Sequence, residues 1–102
     1  MYFELDSATL SAPVRSALDQ AMPCLKARSI IRLEGHADER GTTDYNLALG
    51  QRRAESISRY LVSQGVPPNK LPITSYGEER PADTGHDEAA WAKNRRVDMR
   101  AQ

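Results

Sequence analysis

The residues best able to do chemistry stand in one short segment. His36, Asp38, Glu39 and Arg40 are followed at once by Gly41 and Thr42, and Arg52 and Arg53 come soon after. A carboxylate such as Asp38 can take an ammonium group. An arginine takes a carboxylate, often through two parallel N–H···O bonds. A ligand with both charges on one tip would suit this set. If a helix begins just after the segment, its free N–H groups favour an anion there as well. The plainer reading is that loop charges are solvated and that helix-flank arginines pair with nearby acids. Pattern alone favours that reading.

The flanking sequence supplies elements able to position the segment. Residues 2–5 alternate, with Phe3 and Leu5 on one face, which predicts a short first strand ending at Asp6 and Ser7. Ser11 is a helix N-cap candidate, and Pro13 fits the first turn. Val14, Leu18, Ala21 and Leu25 make one helical stripe. Pro23 lies inside that stripe, cannot donate to the carbonyl of Asp19, and predicts a kink or end near Met22 with an irregular turn through Lys26. Residues 29–35 predict the second strand, with Ile31 and Leu33 facing one way and Ile30, Arg32 and Glu34 the other. The charged loop follows, and then a second helix over 43–64 with the stripe Leu47, Gly50, Ala54, Ile57 and Leu61. Gly50 costs about 1 kcal/mol of helix propensity relative to alanine, so a close approach to the sheet is the expected reason for it. Gly65 closes this helix, and Pro67 and Pro68 prevent its continuation.

Residues 71–76 predict a third strand, with Pro72 restricting it to an edge or a strand start. A polar loop leads to a short helix over 87–93. A last strand over 95–101 alternates Val97, Met99 and Ala101 with Arg96, Asp98 and Arg100. The predicted fold is an α/β two-layer sandwich of order βαβαβ, short α, β, with helices on one face of a four-stranded sheet. Right-handed crossovers make the first three strands parallel. The direction of the last strand is open on these grounds. In such sheets, ligands collect beyond the carboxyl ends of the strands, where the charged loop falls.

Composition removes several function classes. The 102 residues fit one domain, 1–102, with one modest core. Fourteen basic and fourteen acidic residues cancel, which argues against nucleic acid as a partner. No run approaches the ~18 apolar residues of a membrane span. The opening Tyr2-Phe3-Glu4 reads as a strand rather than a signal peptide. Cys24 has no partner for a disulfide, and its neighbours Met22 and Leu25 predict a buried thiol.

The segment Gly35-His-Ala-Asp-Glu-Arg-Gly-Thr42, then Tyr45-Asn46 and Leu49-Gly-Gln-Arg-Arg-Ala54, resembles the signature of OmpA-like peptidoglycan-binding domains. Ser75-Tyr-Gly-Glu-Glu-Arg-Pro81, the segment from Gly85 to Arg96, and Tyr2-Phe-Glu-Leu-Asp6 resemble the peptidoglycan-associated lipoprotein branch of that family. The likeness spans nearly the whole chain. It implies non-covalent binding of the meso-diaminopimelate in a peptidoglycan stem peptide, at the periplasmic face of the outer membrane. Any membrane attachment would be through an anchor outside this chain. By the same resemblance, Asp38 holds the diaminopimelate ammonium and Arg53 the carboxylate on the same carbon. Asp6, Thr42, Asn46 and Leu49 line the pocket, Arg40 reaches or flanks the peptide, and Arg95 is a further candidate. The last strand is implied to lie antiparallel between the first and second. A lysine stem would leave Arg53 without its partner, which gives a basis for discrimination.

Three other readings compete with this one. His36-Ala-Asp38 and His86-Asp87 pair histidine with acids, but no zinc spacing occurs, so neither metal nor cofactor is expected. Glycoside hydrolysis needs two carboxyls with one raised pKa. Asp38 beside Arg53 would instead be held ionised, and no nucleophile–base pair is evident, so no enzyme activity is expected. The third rival is a protein-interaction module. The resemblance implies TolB as a partner at the same region, with Trp91 and Tyr76 as surface anchors or core residues.

Overall fold

A computed structural model describes residues 1–102. Helix α1 (Ala12–Ala27) leads to strand β1 (Ile31–His36), then helix α2 (Thr43–Ser63), a 3₁₀ turn at Pro68–Lys70, strand β2 (Ile73–Gly77), helix α3 (Glu88–Asn94) and strand β3 (Val97–Ala101). The sheet has three strands in the order β2-β1-β3. β1 runs parallel to β2 and antiparallel to β3, with Leu33 opposite both Ile73 and Met99. The predicted fourth strand is reduced to a single antiparallel bridge between Tyr2 and Arg96. Phe3 N–H donates to the Arg95 carbonyl and Val97 N–H to that of Met1, at 2.8 Å each. The segment therefore lies on the outer edge of β3, antiparallel to it, but too few residues pair for a strand. Beyond Phe3 the chain turns away, and Asp6 takes a left-handed φ of 52°.

Local chemistry sets the helix ends. Ser11 Oγ accepts from Val14 N–H, Thr42 Oγ1 from Tyr45 N–H and Asp87 Oδ1 from Ala90 N–H, so each helix has the side-chain cap its orphan donors need. α2 ends as the sequence predicts: Gly65 is left-handed, with φ 103°. Val66 N–H reaches the Leu61 carbonyl and Gly65 N–H the Val62 carbonyl, at 3.0 Å each, which is a Schellman closure.

Of the two outcomes the sequence allows at Pro23, a kink or an end, the end does not occur, and the expected burial of Cys24 fails. The helix runs through Pro23 to Ala27 without ending near Met22. Met22 and Leu25, buried on either side of the proline, are fixed in the core. Packing of that face carries the helix past one missing donor, and Pro23 itself faces solvent. Cys24 is exposed rather than buried, because the buried stripe is Val14, Leu18, Met22 and Leu25, with Met22 in the place expected for Ala21.

One core joins both layers. Leu18 of α1, Ile31 and Leu33 of β1, and Ala54, Ile57 and Leu61 of α2 are all fully enclosed within it. α2 crosses the sheet closely at Gly50: a Cβ on Gly50 would collide with Ser75 Oγ and fall 2.9 Å from the Gly35 carbonyl oxygen. That contact accounts for a glycine in mid-helix. It also fixes α2 against the last turn of β1, from which the charged loop departs. Leu47, expected in the α2 stripe, is only half-buried, while Asn46, Leu49 and Arg53 are buried beside Gly50 and Ala54.

Candidate functional site

β1 and β2 end side by side, with His36 opposite Gly77. The loop 37–42 leaves from there and turns into α2. Asp38 sits just beyond the strand and is 5% exposed. Its Oδ1 accepts from the backbone N–H and Nε of Arg40 at 3.0 and 3.2 Å, and its Oδ2 accepts from Arg40 Nη2 at 2.9 Å. Arg95 Nη1 lies 3.7 Å from the same Oδ2. Burial pushes the Asp38 carboxyl up. The hydrogen bonds from Arg40, together with the charges of Arg40 and Arg95, outweigh that and hold it below its ordinary value.

Arg53 projects from α2 into the same place and is completely buried. Its guanidinium donates to three backbone carbonyls: Ser7 at 2.8 Å, His36 at 2.8 Å and Glu4 at 3.0 Å. Burial lowers its pKa to about 10, against the opposing pull of Asp38, so it remains protonated at neutral pH. Two of its five N–H groups make none of these bonds. Asp38 and Arg53 line one cleft with Leu5, Asp6, Arg40, Asn46 and Leu49, and the room between them is only about 10 Å³.

The other predicted residues are placed as follows. Asp6 is exposed at the rim and accepts from Tyr45 Oη at 3.1 Å. Thr42 is spent on capping α2. Asn46, 1% exposed, donates to Glu78 Oε1 at 3.0 Å. Leu49 is the apolar wall. Arg95 is buried, with Nε on the Phe3 carbonyl and Nη2 on Glu88, each at 2.9 Å. Its Nη1 has no hydrogen-bond partner, which leaves a buried cationic donor aimed at Asp38.

Two features of the surroundings lie outside what the sequence pattern indicates. Glu39 Oε1 meets His86 Nδ1 at 2.6 Å and Trp91 Nε1 at 3.0 Å. The Arg40 guanidinium lies 4.2 Å from the centre of the Trp91 ring. These contacts tie the loop to α3, and residues so far apart in sequence gave no signal of them. His36 and Asp38 also part company. The His36 ring turns to the face of the sheet opposite the helices, stacked on Tyr76 at 5.5 Å, while its carbonyl holds Arg53. The largest hollow, about 690 Å³ and mostly apolar, lies between residues 1–4, α1 and α3; Arg95 lines it, and the charged cleft is lined by none of its residues.

No helix is long and apolar enough to cross a membrane. The chain is 54% identical over 100 residues to the peptidoglycan-associated lipoprotein of Pseudomonas aeruginosa, a match spanning 97% of this chain and 60% of that protein. The crystal structure of the peptidoglycan-associated lipoprotein from Burkholderia pseudomallei has a TM-score of 0.94 at 44% identity, over 99% of this chain and 87% of that one. The C-terminal domain of Helicobacter pylori MotB shares the fold, with a TM-score of 0.89 at 23% identity, over 99% and 81% of the two chains. The OmpA family model matches residues 2–95, and the chain belongs to the OmpA family.

Proposed function

We propose that this domain binds peptidoglycan non-covalently through the meso-diaminopimelate of its stem peptide, and so tethers the outer membrane to the cell wall from its periplasmic face. The observation that carries this reading is the pairing of a buried, ionised Asp38 with the buried guanidinium of Arg53 in one cleft, in a chain similar to proteins named for their association with peptidoglycan. Asp38 takes the ammonium of the diaminopimelate tip. Arg53 and the unpartnered Nη1 of Arg95 take its carboxylate. Because the cleft is nearly closed, Arg40 must surrender at least one oxygen of Asp38 as the ligand's ammonium arrives. The exchange of one cation for another keeps the cost of opening low. Asp6, Thr42, Asn46 and Leu49 shape the wall.

The test is a calorimetric titration with a diaminopimelate muropeptide. A hydrogen bond to a charged group is worth roughly 1.5–3 kcal/mol, so Asp38→Ala should weaken binding on the order of tenfold to a hundredfold. Arg53→Ala should do the same, with Arg53→Lys retaining part of the affinity. A lysine-type muropeptide should lose a similar factor against the wild-type domain. Wild-type affinity in both alanine variants defeats the assignment. Incubation with peptidoglycan should release no fragments, since Asp38 is held ionised and cannot act as a general acid.

A protein partner of the TolB kind at the same rim is the second reading. It is favoured by exposed Leu5 and Tyr45 beside the cleft, at 51% and 39%. TolB capture that survives the Asp38→Ala/Arg53→Ala double variant would place that partner on a separate surface.

A further inference from the structure

Strand β1 also carries side chains on the face turned away from the helices. Glu34 and His36 point away from the helices and meet Asp98, which stands opposite Glu34 across the β1–β3 ladder. No helix covers this side, yet Glu34 is 4% and His36 2% exposed. One ligand-capable atom from each of Glu34, His36 and Asp98 lies within 4.8 Å of the others. Neither ring nitrogen of His36 has a hydrogen-bond partner. Nε2 comes to 3.4 Å from Asp98 Oδ2, without a hydrogen bond between them. A buried imidazole with both nitrogens unsatisfied is costly and unusual in a native fold.

We propose that Glu34, His36 and Asp98 form a binding site for a divalent transition metal of the zinc class. The geometry fits. Zinc–nitrogen and zinc–oxygen bonds of about 2.0–2.1 Å in a tetrahedron place neighbouring ligand atoms about 3.4 Å apart, which is the His36–Asp98 spacing. Glu34 supplies the third ligand by a small rotation, and the fourth position is open to water. One imidazole and two carboxylates suit zinc, cobalt or nickel better than calcium or magnesium, which prefer all-oxygen shells of six or more.

Two arginines now hold the carboxylates. Arg100 Nε is 2.6 Å from Glu34 Oε1, and Arg96 Nε lies 3.1 and 3.2 Å from the two oxygens of Asp98. Arg96, only 11% exposed, crowds the site and must give up Oδ2 of Asp98 before an ion can enter. The Arg100 side chain is 68% exposed, so its release into water costs little. Arg96 can keep Oδ1 of Asp98 while Oδ2 turns to the metal.

The test is zinc titration of the untagged domain by calorimetry, with cobalt(II) as a spectroscopic probe. One equivalent should bind, and cobalt should give visible bands of a four- or five-coordinate ion. His36→Gln and Asp98→Asn should each weaken binding at least tenfold and remove the bands, while His86→Gln leaves both unchanged. Asp98 is half-exposed, so its variant decides the matter if His36→Gln fails to fold. The proposal is overturned if zinc does not saturate at one equivalent. It is equally overturned if binding survives Asp98→Asn, or is lost in His86→Gln, which would assign the ion to the Glu39–His86 pair.

Discussion

Glu39 joins two side chains, His86 and Trp91, through a single carboxylate oxygen, and the consequence is readable in one residue's titration. Its hydrogen bond to His86 Nδ1, at 2.6 Å, favours the protonated imidazole. The His86 pKa is raised above 6.5 by that hydrogen bond first and by the Glu39 charge second. Glu39 is lowered from 4.5 by the bonds from His86 and Trp91. The sign follows from linkage. The His86 contribution to stability is full below 6.5, provided Glu39 is ionised, and fades as pH rises through the raised value. On the acid side it fades as Glu39 protonates. The pair is solvent-exposed, so the stabilisation is small, but the titration is measurable. In Glu39→Gln the His86 pKa, followed by NMR, should fall back toward 6.5 while the fold is kept. An unmoved His86 would show that the contact does not form in solution.

At the scale of elements, Pro23 gives a sharper test than any residue of the cleft. The proline is exposed, removes one donor from an interior turn of α1, and is tolerated only because Met22 and Leu25 are locked in the core. An interior proline costs roughly 3 kcal/mol in a helix. It returns about 0.4–1 kcal/mol by stiffening the unfolded chain. Pro23→Ala should therefore stabilise the domain by about 2 kcal/mol, and a rise in melting temperature of roughly 8–16 °C would follow. No change, or a fall, would mean that the proline makes a packing contribution of its own. The same element shows where sequence reasoning reaches its limit. Caps and the Gly65 stop were legible because they depend on a few adjacent residues. The effect of Pro23 was not, since propensity argues locally and burial of Leu18, Met22 and Leu25 is decided by the rest of the fold. The first strand failed for a related reason. Alternation in residues 2–5 reports a half-buried extended segment, but pairing depends on how much of β3 remains alongside it, and that proved to be one bridge.

Over the whole molecule, the cleft is assembled from two distant pieces, the N-terminal segment at Leu5 and Asp6 and the loop with α2, while Arg95 at the α3–β3 junction approaches Asp38 from beside it. Local spacing put Asp38 on one loop and both Arg52 and Arg53 on the helix it enters; the choice of Arg53 came from the family resemblance. The nearness of Arg95 to Asp38, and of Asp98 to Glu34 and His36, depends on the antiparallel docking of β3 and is invisible to local spacing. The N-terminal segment ties the core to the cleft through its backbone. Phe3 is 6% exposed in the common core, and its carbonyl and N–H are both engaged by Arg95. The next turns of chain supply the Glu4 and Ser7 carbonyls that hold Arg53. Removing the Phe3 ring should cost about 3–5 kcal/mol and loosen both arginines from their backbone anchors. Phe3→Ala should thus lower the urea-unfolding free energy by about that amount, and should also weaken muropeptide binding in the fraction that stays folded, although Phe3 does not line the cleft. Stability lost with binding intact would show that the cleft holds its shape without the segment. Stability and binding lost together would identify the first seven residues as the part that fixes the buried charges in place.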